Sequence, residues 1–184
     1  MQFQKKTNRD MNREEKFKEN LRQAEKLMWQ HKTTVLELAT GYGKTRLALE
    51  LAKIYWQKKA CGRNNFKVLV MVDKNVHKQS WKDEIKKWGM DGMHFKFYCY
   101  ASIKKLKDTQ WDFVIYDECH HVFTENRLQY SYTIKTDKFV LLSATISRND
   151  KYELKKGGAA FISIDLQDAI DDGVLPTPRI SLSQ

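Results

Sequence analysis

A glycine-containing segment between Leu38 and Thr45 has the composition of a loop that binds phosphate. It follows an apolar, β-branched run at residues 33–36 and precedes a helical pattern, which is the strand–loop–helix context that such a loop requires. Gly41 and Gly43 let the backbone bend so that several N–H groups face one concavity at the positive end of the next helix. The segment therefore predicts a binding site for a nucleoside di- or triphosphate.

Several side chains of this loop have predicted roles in nucleotide binding. Lys44 is expected to reach the β- and γ-phosphates, and the Thr45 hydroxyl is expected to ligate Mg²⁺. The strict form of the pattern has a glycine where this chain has Leu38, so the loop taken alone could also be a chance turn. The full set of predicted nucleotide-binding residues is Thr40, Gly41, Tyr42, Gly43, Lys44, Thr45 and Arg46.

A carboxylate pair, Asp117-Glu118, ends a second apolar run at residues 113–116. Ligands of open α/β sheets bind at the carboxyl ends of the strands. We expect Asp117 to hold Mg²⁺, directly or through water, and Glu118 to orient and deprotonate the attacking water, so both join Lys44 as predicted catalytic residues. An acidic pair at a strand end can also be a solvated turn. The phosphate loop upstream is what favours the catalytic interpretation.

Three more polar side chains follow the predicted strands. His120, next to the acidic pair, is predicted to couple to the γ-phosphate. Ser143 and Thr145 end a third apolar run at residues 139–142, and their hydroxyls could hydrogen-bond the carboxylate turn and sense the γ-phosphate. The alternative for this pair is a local Ser/Thr turn or a helix cap, and the local sequence alone favours that alternative.

The elements that must position these side chains alternate along the chain between helical and strand patterns. The near-continuous apolar runs are typical of strands buried on both faces. The alternation predicts an α/β fold with a mostly parallel sheet and helices on both faces. Strands are predicted near residues 33–36, 67–72, 94–99, 113–116, 139–142 and 161–164, and helices near residues 12–28, 46–61, 81–88, 102–107 and 166–172.

Length and composition limit the class of protein. A chain of 184 residues suggests one domain, which we place at residues 12–184 behind a basic tail at residues 1–11. The net charge of +10 suits a polyanionic partner, although many surface lysines would give the same figure. Three cysteines without metal-ligand spacing suggest a reducing compartment, and the cytoplasm is expected. No apolar run approaches the roughly 18 residues of a membrane span.

The three motifs together resemble motifs I, II and III of superfamily 2 helicases, and the acidic one resembles the DExH type. They are Ala39-Thr40-Gly41-Tyr42-Gly43-Lys44-Thr45, Asp117-Glu118-Cys119-His120 and Ser143-Ala144-Thr145. The resemblance implies a RecA-like P-loop NTPase domain, the first of the family's two, with ATP and Mg²⁺ as cofactors. ATP is implied by the family alone, because no glutamine upstream of the loop matches the family's adenine-reading position. A later segment, residues 169–175, resembles the segment that follows motif III in relatives of restriction-enzyme translocases and phage helicases.

The resemblance also implies partners. The family grips nucleic-acid phosphates on loops after the strands, and Lys74, Asn75 and Ser102 are the matching candidates in this chain. Single-stranded or duplex nucleic acid is expected, DNA before RNA, with no membrane partner. A second RecA-like domain is expected in a longer chain or in trans, so that this chain would be a fragment or one half of a motor. Without that domain, the nucleic-acid-dependent ATPase is expected to be weak.

Two other functions remain open from the sequence. A regulatory module could bind nucleic acid or a protein and use nucleotide only as a ligand, which the basic charge and the missing second half favour. The complete set of Lys44, Asp117 and Glu118 counts against it, since a binding module has no chemical need for all three. A small-molecule phosphotransferase on a similar core is the third possibility, but an acidic tetrad followed by Ser-Ala-Thr does not suit it.

Overall fold

A computed structural model describes residues 8–39 and 43–163 of the chain. Within these ranges the helices are α1 (Asn8–Gln30), α2 (Lys44–Lys58), α3 (Asn75–Lys87), α4 (Glu125–Ser131) and α5 (Arg148–Lys156), with 3₁₀ helices at Tyr100–Leu106 and Cys119–Val122. The strands are β1 (Thr33–Glu37), β2 (Lys67–Val72), β3 (His94–Cys99), β4 (Gln110–Trp111), β5 (Phe113–Tyr116), β6 (Lys135–Thr136), β7 (Phe139–Ser143) and β8 (Ala160–Ser163). No helix in the described part of the chain is long and apolar enough to cross a bilayer.

Six strands form one parallel sheet in the order β3-β2-β5-β7-β1-β8. β4 and β6 form a separate two-stranded parallel pair. Because parallel neighbours need long crossover connections, helices lie between most consecutive strands of the large sheet. The predicted α/β fold with a mostly parallel sheet is therefore confirmed.

Side chains of the large sheet alternate between two hydrophobic cores, one on each face. Leu36, Val70 and Leu142 pack in the core that contains the apolar faces of α1, α2 and α3. Their neighbours Val35 and Leu69 pack in the opposite core, with the two 3₁₀ helices and parts of α4 and α5. Both faces of each central strand are thus removed from water, which is why these strands appear in the sequence as continuous apolar runs.

Some elements differ from the sequence prediction. α1 begins at Asn8, four residues before the predicted start, so residues 8–11 of the proposed tail are helical. The helix predicted at residues 102–107 is a 3₁₀ helix. α5 was not predicted because it contains only two apolar residues, Tyr152 and Leu154, and buries no residue; its start is marked only by Ser147, whose hydroxyl accepts from the Asp150 N–H. The helix predicted at residues 166–172 lies outside the described residues.

A partly buried lysine, Lys138, fixes the end of α1 next to the start of β1. Lys138 Nζ donates to the carbonyl oxygens of Met28 (2.6 Å) and His31 (2.9 Å), which lie at and just beyond the last turn of α1. A cation at this position satisfies carbonyls that have no partner within the helix. Loss of hydration lowers the pKa of Lys138 from its usual value. The contact holds the chain where it turns from α1 into the strand that leads to the phosphate loop.

Candidate nucleotide-binding site

The candidate site lies at the carboxyl edge of three adjacent strands. β5, β7 and β1 are neighbours in the sheet, and Glu37 at the end of β1 pairs in register with Ser143 at the end of β7. The predicted phosphate loop, the acidic pair and the Ser-Ala-Thr segment follow these three strands. The strand order therefore brings segments that are far apart in sequence to one edge, where ligands of parallel sheets bind.

Lys44 and Glu118 meet directly at this edge. Lys44 is the first residue of α2, and its Nζ donates to Glu118 Oε1 at 2.9 Å although the residues are 74 positions apart. The Lys44 side chain is only 14% exposed and that of Glu118 is 32% exposed. The predicted phosphate-binding cation thus faces the predicted general base, and a phosphate entering between them would compete with Glu118 for Lys44.

The last residue of the phosphate loop adopts a left-handed backbone conformation. Gly43 has φ +72° and ψ +43°, in the region that favours glycine. A Cβ at Gly43 would lie 3.8 Å from the Phe17 ring, so space alone would tolerate a side chain and the backbone conformation is what requires glycine. Thr40, Gly41 and Tyr42 lie outside the described residues. Their predicted contacts with nucleotide therefore stay predictions.

Two neighbouring elements hold Asp117, one through its carboxylate and the other through its backbone carbonyl. The indole N–H of Trp81, on α3, donates to Asp117 Oδ2 at 2.9 Å, and the Tyr100 hydroxyl donates to the Asp117 carbonyl oxygen at 2.6 Å. Burial raises the pKa of Asp117, while the Trp81 hydrogen bond and the charge of Lys44 act in the opposite direction. A desolvated carboxylate of this kind gains strongly from a nearby cation, which suits the predicted metal-binding role.

The histidines after the acidic pair lie between two strand ends. His120 Nδ1 is 3.7 Å from Glu118 Oε2, and His121 Nε2 is 3.6 Å from Asp73 Oδ2 in the turn after β2. His120 therefore lies beside the predicted general base, where a polar coupling residue would have to be. The coupling role itself stays a prediction.

Ser143 and Thr145 form a local turn. The Ser143 hydroxyl donates to the Thr145 carbonyl oxygen at 2.7 Å and accepts from the Thr145 N–H at 3.3 Å, and the Ser143 side chain is fully buried. These are the contacts of the alternative interpretation, a Ser/Thr turn. Between this turn and the carboxylates of Asp117 and Glu118, no hydrogen bond is present in the described structure. Direct sensing of the carboxylate turn thus stays a prediction without a contact to support it.

Glu37 is a residue that sequence reasoning missed. Its Oε2 accepts from the Ile146 N–H at 2.8 Å, and its Oε1 accepts from Lys151 Nζ at 2.7 Å and from the Ser163 hydroxyl at 3.1 Å. Glu37 thus ties the start of the phosphate loop to the turn after β7, to α5 and to β8. An acidic residue directly after the buried strand residues of β1 was the available signal, since carboxyl ends of parallel strands carry ligands.

We expect Glu37→Ala to destabilise the protein by about 2 kcal/mol, because it leaves the Ile146 N–H and the Lys151 ammonium without their shared acceptor. Urea unfolding of both proteins measures the difference. The matched control is Glu153→Ala on the exposed surface of α5, which should stay within about 0.5 kcal/mol of wild type. Equal unfolding midpoints for Glu37→Ala and wild type would show that the contacts of the Glu37 carboxylate contribute nothing to stability.

Arg46, predicted to bind nucleotide, has other partners in this structure. Its two terminal nitrogens donate to both carboxylate oxygens of Glu14, each at 3.0 Å. The guanidinium also stacks 3.9 Å from the Phe17 ring centroid and 4.3 Å from that of Trp88. Stacking and a bidentate ion pair are the interactions in which arginine differs most from lysine. Arg46 therefore joins α1, α2 and α3, and its contact with nucleotide stays a prediction.

The predicted nucleic-acid-binding residues lie together at the carboxyl ends of β2 and β3, which are neighbours in the sheet. Lys74 and Asn75 are exposed at the N-terminus of α3, and Ser102 lies in the 3₁₀ helix after β3. The two loops touch, because Cys99 Sγ donates to Asn75 Oδ1 at 3.4 Å. The three residues can therefore form one surface.

The described residues fit ATP and Mg²⁺ in their chemistry. Lys44 supplies a cation and the N-terminus of α2 supplies backbone N–H donors for phosphate. Mg²⁺ is usually bound through one or two carboxylates, together with substrate phosphates and water. Asp117 provides such a carboxylate, and Thr45 lies in the first turn of α2, where its hydroxyl could join it.

Comparisons with known proteins agree with this architecture. A family model described as type III restriction enzyme, res subunit, matches residues 9–99, just under half of the chain. The structure is similar to the Sulfolobus solfataricus SWI2/SNF2 ATPase core in complex with dsDNA, with a TM-score of 0.57 and 14% identity over 73% of this chain and 33% of that one. It is also similar to the Pyrococcus furiosus Hef helicase domain, with a TM-score of 0.59 and 12% identity over 85% of this chain and 39% of that one. No curated protein sequence matches at a significant level.

The two solved structures share the fold of this chain, and the chain spans between a third and two fifths of their lengths. At sequence identities this low, structural similarity establishes a shared fold but does not establish the roles of individual residues. The family match is independent of it and covers the segment that contains the phosphate loop. The chain therefore has the fold of these ATPase and helicase cores, and its segment at residues 9–99 is similar to the res subunit of type III restriction enzymes.

Proposed function

We propose that this domain binds ATP with Mg²⁺ at the carboxyl edge of β1, β5 and β7 and hydrolyses it. The observation that carries the proposal is the contact between Lys44 and Glu118, with Asp117 beside it. A cation, a general base and a metal-binding carboxylate are the groups that phosphoryl transfer to water requires. They come from two segments that only the sheet brings together.

The roles within the proposed site follow from the positions of the groups. Lys44 binds the β- and γ-phosphates, and Glu118, released from Lys44, accepts a proton from the attacking water. Asp117 and Thr45 hold Mg²⁺, which when bound neutralises charge on the phosphates. His120 lies beside Glu118 and can hold it in orientation while Lys44 is engaged by phosphate.

The proposed partners are nucleic acid and a second RecA-like domain. The Sulfolobus relative was solved with double-stranded DNA, and the net charge of +10 favours a polyanion, so DNA is the first candidate and RNA the second. Lys74, Asn75 and Ser102 would contact phosphates, which position a strand without reading its sequence. A second domain, within a longer protein or in trans, would close over the site and add positive charge to the transition state.

The compartment and the domain limits stay proposals. Cys61, Cys99 and Cys119 are all free, which suits the reducing cytoplasm. Residues 12–184 remain the proposed ATPase domain, with α1 reaching back to Asn8.

The proposed function is tested by ATP turnover of this chain, alone and with single-stranded DNA, duplex DNA or RNA. We expect slow turnover that requires Mg²⁺ and that nucleic acid stimulates, with affinity for nucleic acid falling steeply as salt rises. Nucleic-acid binding with no binding of ATP at all would overturn the proposal and favour the regulatory module. ATP binding without turnover would contradict hydrolysis by this domain alone, and adding the second domain would then have to restore turnover.

A further inference from the structure

Trp81 is a buried tryptophan whose polar atom contacts a carboxylate of the proposed site. It lies on α3 with 2% of its surface exposed, and its indole N–H donates to Asp117 Oδ2 at 2.9 Å. A buried indole N–H needs an acceptor, and a backbone carbonyl or a neutral side chain would have sufficed. The acceptor in this chain is instead the side chain that is proposed to hold the metal.

The main chain of Asp117 is held by two further hydrogen bonds. Its N–H donates to the Met71 carbonyl oxygen at 2.9 Å, and its carbonyl oxygen accepts from the Tyr100 hydroxyl at 2.6 Å. Tyr100 is itself only 1% exposed. These two contacts fix the main chain of Asp117, so the orientation of its carboxylate depends on Trp81.

α3 connects this carboxylate to the surface predicted to contact nucleic acid. The helix begins at Asn75, directly after Lys74, and both residues are exposed. Trp81 is the buried residue of the same helix and packs in the core beneath the sheet. A displacement of the N-terminus of α3 would therefore move the indole that holds Asp117.

We propose that Trp81 is a positioning residue that orients the Asp117 carboxylate for Mg²⁺ and transmits the position of α3 to it. The inference rests on the proposed function, because it assigns Asp117 to the metal. The indole holds one carboxylate oxygen, Oδ2, which leaves the other oxygen to the cation. Trp81 acts only through Asp117 and touches neither nucleotide nor metal.

The test uses nucleotide binding, not turnover, as its first measurement. The affinity of the protein for ATP is measured with and without Mg²⁺, and the ratio of the two affinities reports how well the protein holds the metal. Trp81→Phe keeps an aromatic ring and removes the N–H together with the five-membered ring that carries it. We expect it to reduce this ratio by roughly tenfold, the size of one hydrogen bond to a charged group, with little change in the affinity measured without Mg²⁺.

The matched control is Trp29→Phe on α1, which also removes an indole N–H from a carboxylate, that of Glu25 at 3.3 Å. It should leave the ratio at the wild-type value. A wild-type ratio in a folded Trp81→Phe protein would overturn the inference and leave the proposed function standing. A wild-type protein whose affinity for ATP is independent of Mg²⁺ would overturn the proposed metal site, and the role of Trp81 with it.

A second measurement uses the unaltered protein in case Trp81→Phe does not fold. The chain has five tryptophans, and their indole N–H signals can be followed by ¹⁵N NMR with Mn²⁺ and ATP added in place of Mg²⁺. The Trp81 indole N–H signal should broaden first, since only the Asp117 carboxylate would separate this indole from the paramagnetic ion. The Trp29 indole N–H signal should stay sharp. Equal broadening of the Trp81 and Trp29 indole signals would contradict the proposal.

Discussion

Glu118→Gln is expected to lower ATP turnover by about 10²–10⁴-fold, the contribution of a general base. Glutamine keeps the shape of the side chain but cannot accept a proton from the attacking water. It also removes the negative charge that pairs with Lys44 at 2.9 Å. Lys44 is then free to bind phosphate without competition, so ATP affinity should stay the same or increase. Steady-state kinetics and ATP titration measure the two effects separately.

The control for this substitution is Glu153→Gln, on the exposed surface of α5, which should leave turnover at the wild-type level. If Glu118→Gln turns over ATP at the wild-type rate, Glu118 is not the base and the neighbouring His120 becomes the candidate to test. If the substitution instead weakens ATP binding, its main effect is on the shape of the site and the assigned role is wrong.

Lys44→Ala is expected to lower turnover by about 10²–10³-fold, the cost of removing one preorganised donor from a developing charge. Unlike Glu118→Gln, it should also weaken ATP binding by roughly ten- to a hundredfold, because a charge-assisted hydrogen bond to phosphate is lost in the ground state as well. The Glu118 carboxylate is 32% exposed, so losing its partner should change the stability of the free protein by less than about 1 kcal/mol.

Lys53→Ala is the matched control for this prediction, since Lys53 lies on the same helix, away from its N-terminus. It should preserve both affinity and turnover. The pair of site substitutions gives the sharper test, because only Lys44→Ala is expected to weaken ATP binding, although the two residues touch each other. Equal losses of affinity in both variants would indicate that the Lys44–Glu118 contact only supports local structure.

The sequence by itself determined the elements that carry the site. Strands buried on both faces give continuous apolar runs, as at residues 67–72 and 113–116, and these runs were found because their signal is local. The rule that ligands bind at carboxyl ends of parallel strands then selected Asp117 and Glu118 without any coordinates. α5 could not be found in this way, because all its side chains face water at least in part and its two apolar residues, Tyr152 and Leu154, are too few to mark a helix in the sequence.

Only the tertiary structure decided which side chains meet. The order of β5, β7 and β1 places Glu118 against Lys44, and no local pattern encodes that order. Glu37 and Trp81 were missed for the same reason, because a glutamate at a strand end and a buried tryptophan are both common in proteins. The donor to Glu37 and the acceptor of Trp81 come from segments that are distant in sequence. Residue type and spacing determine which chemistry a side chain can perform. Which residue it contacts depends on how the whole sheet packs.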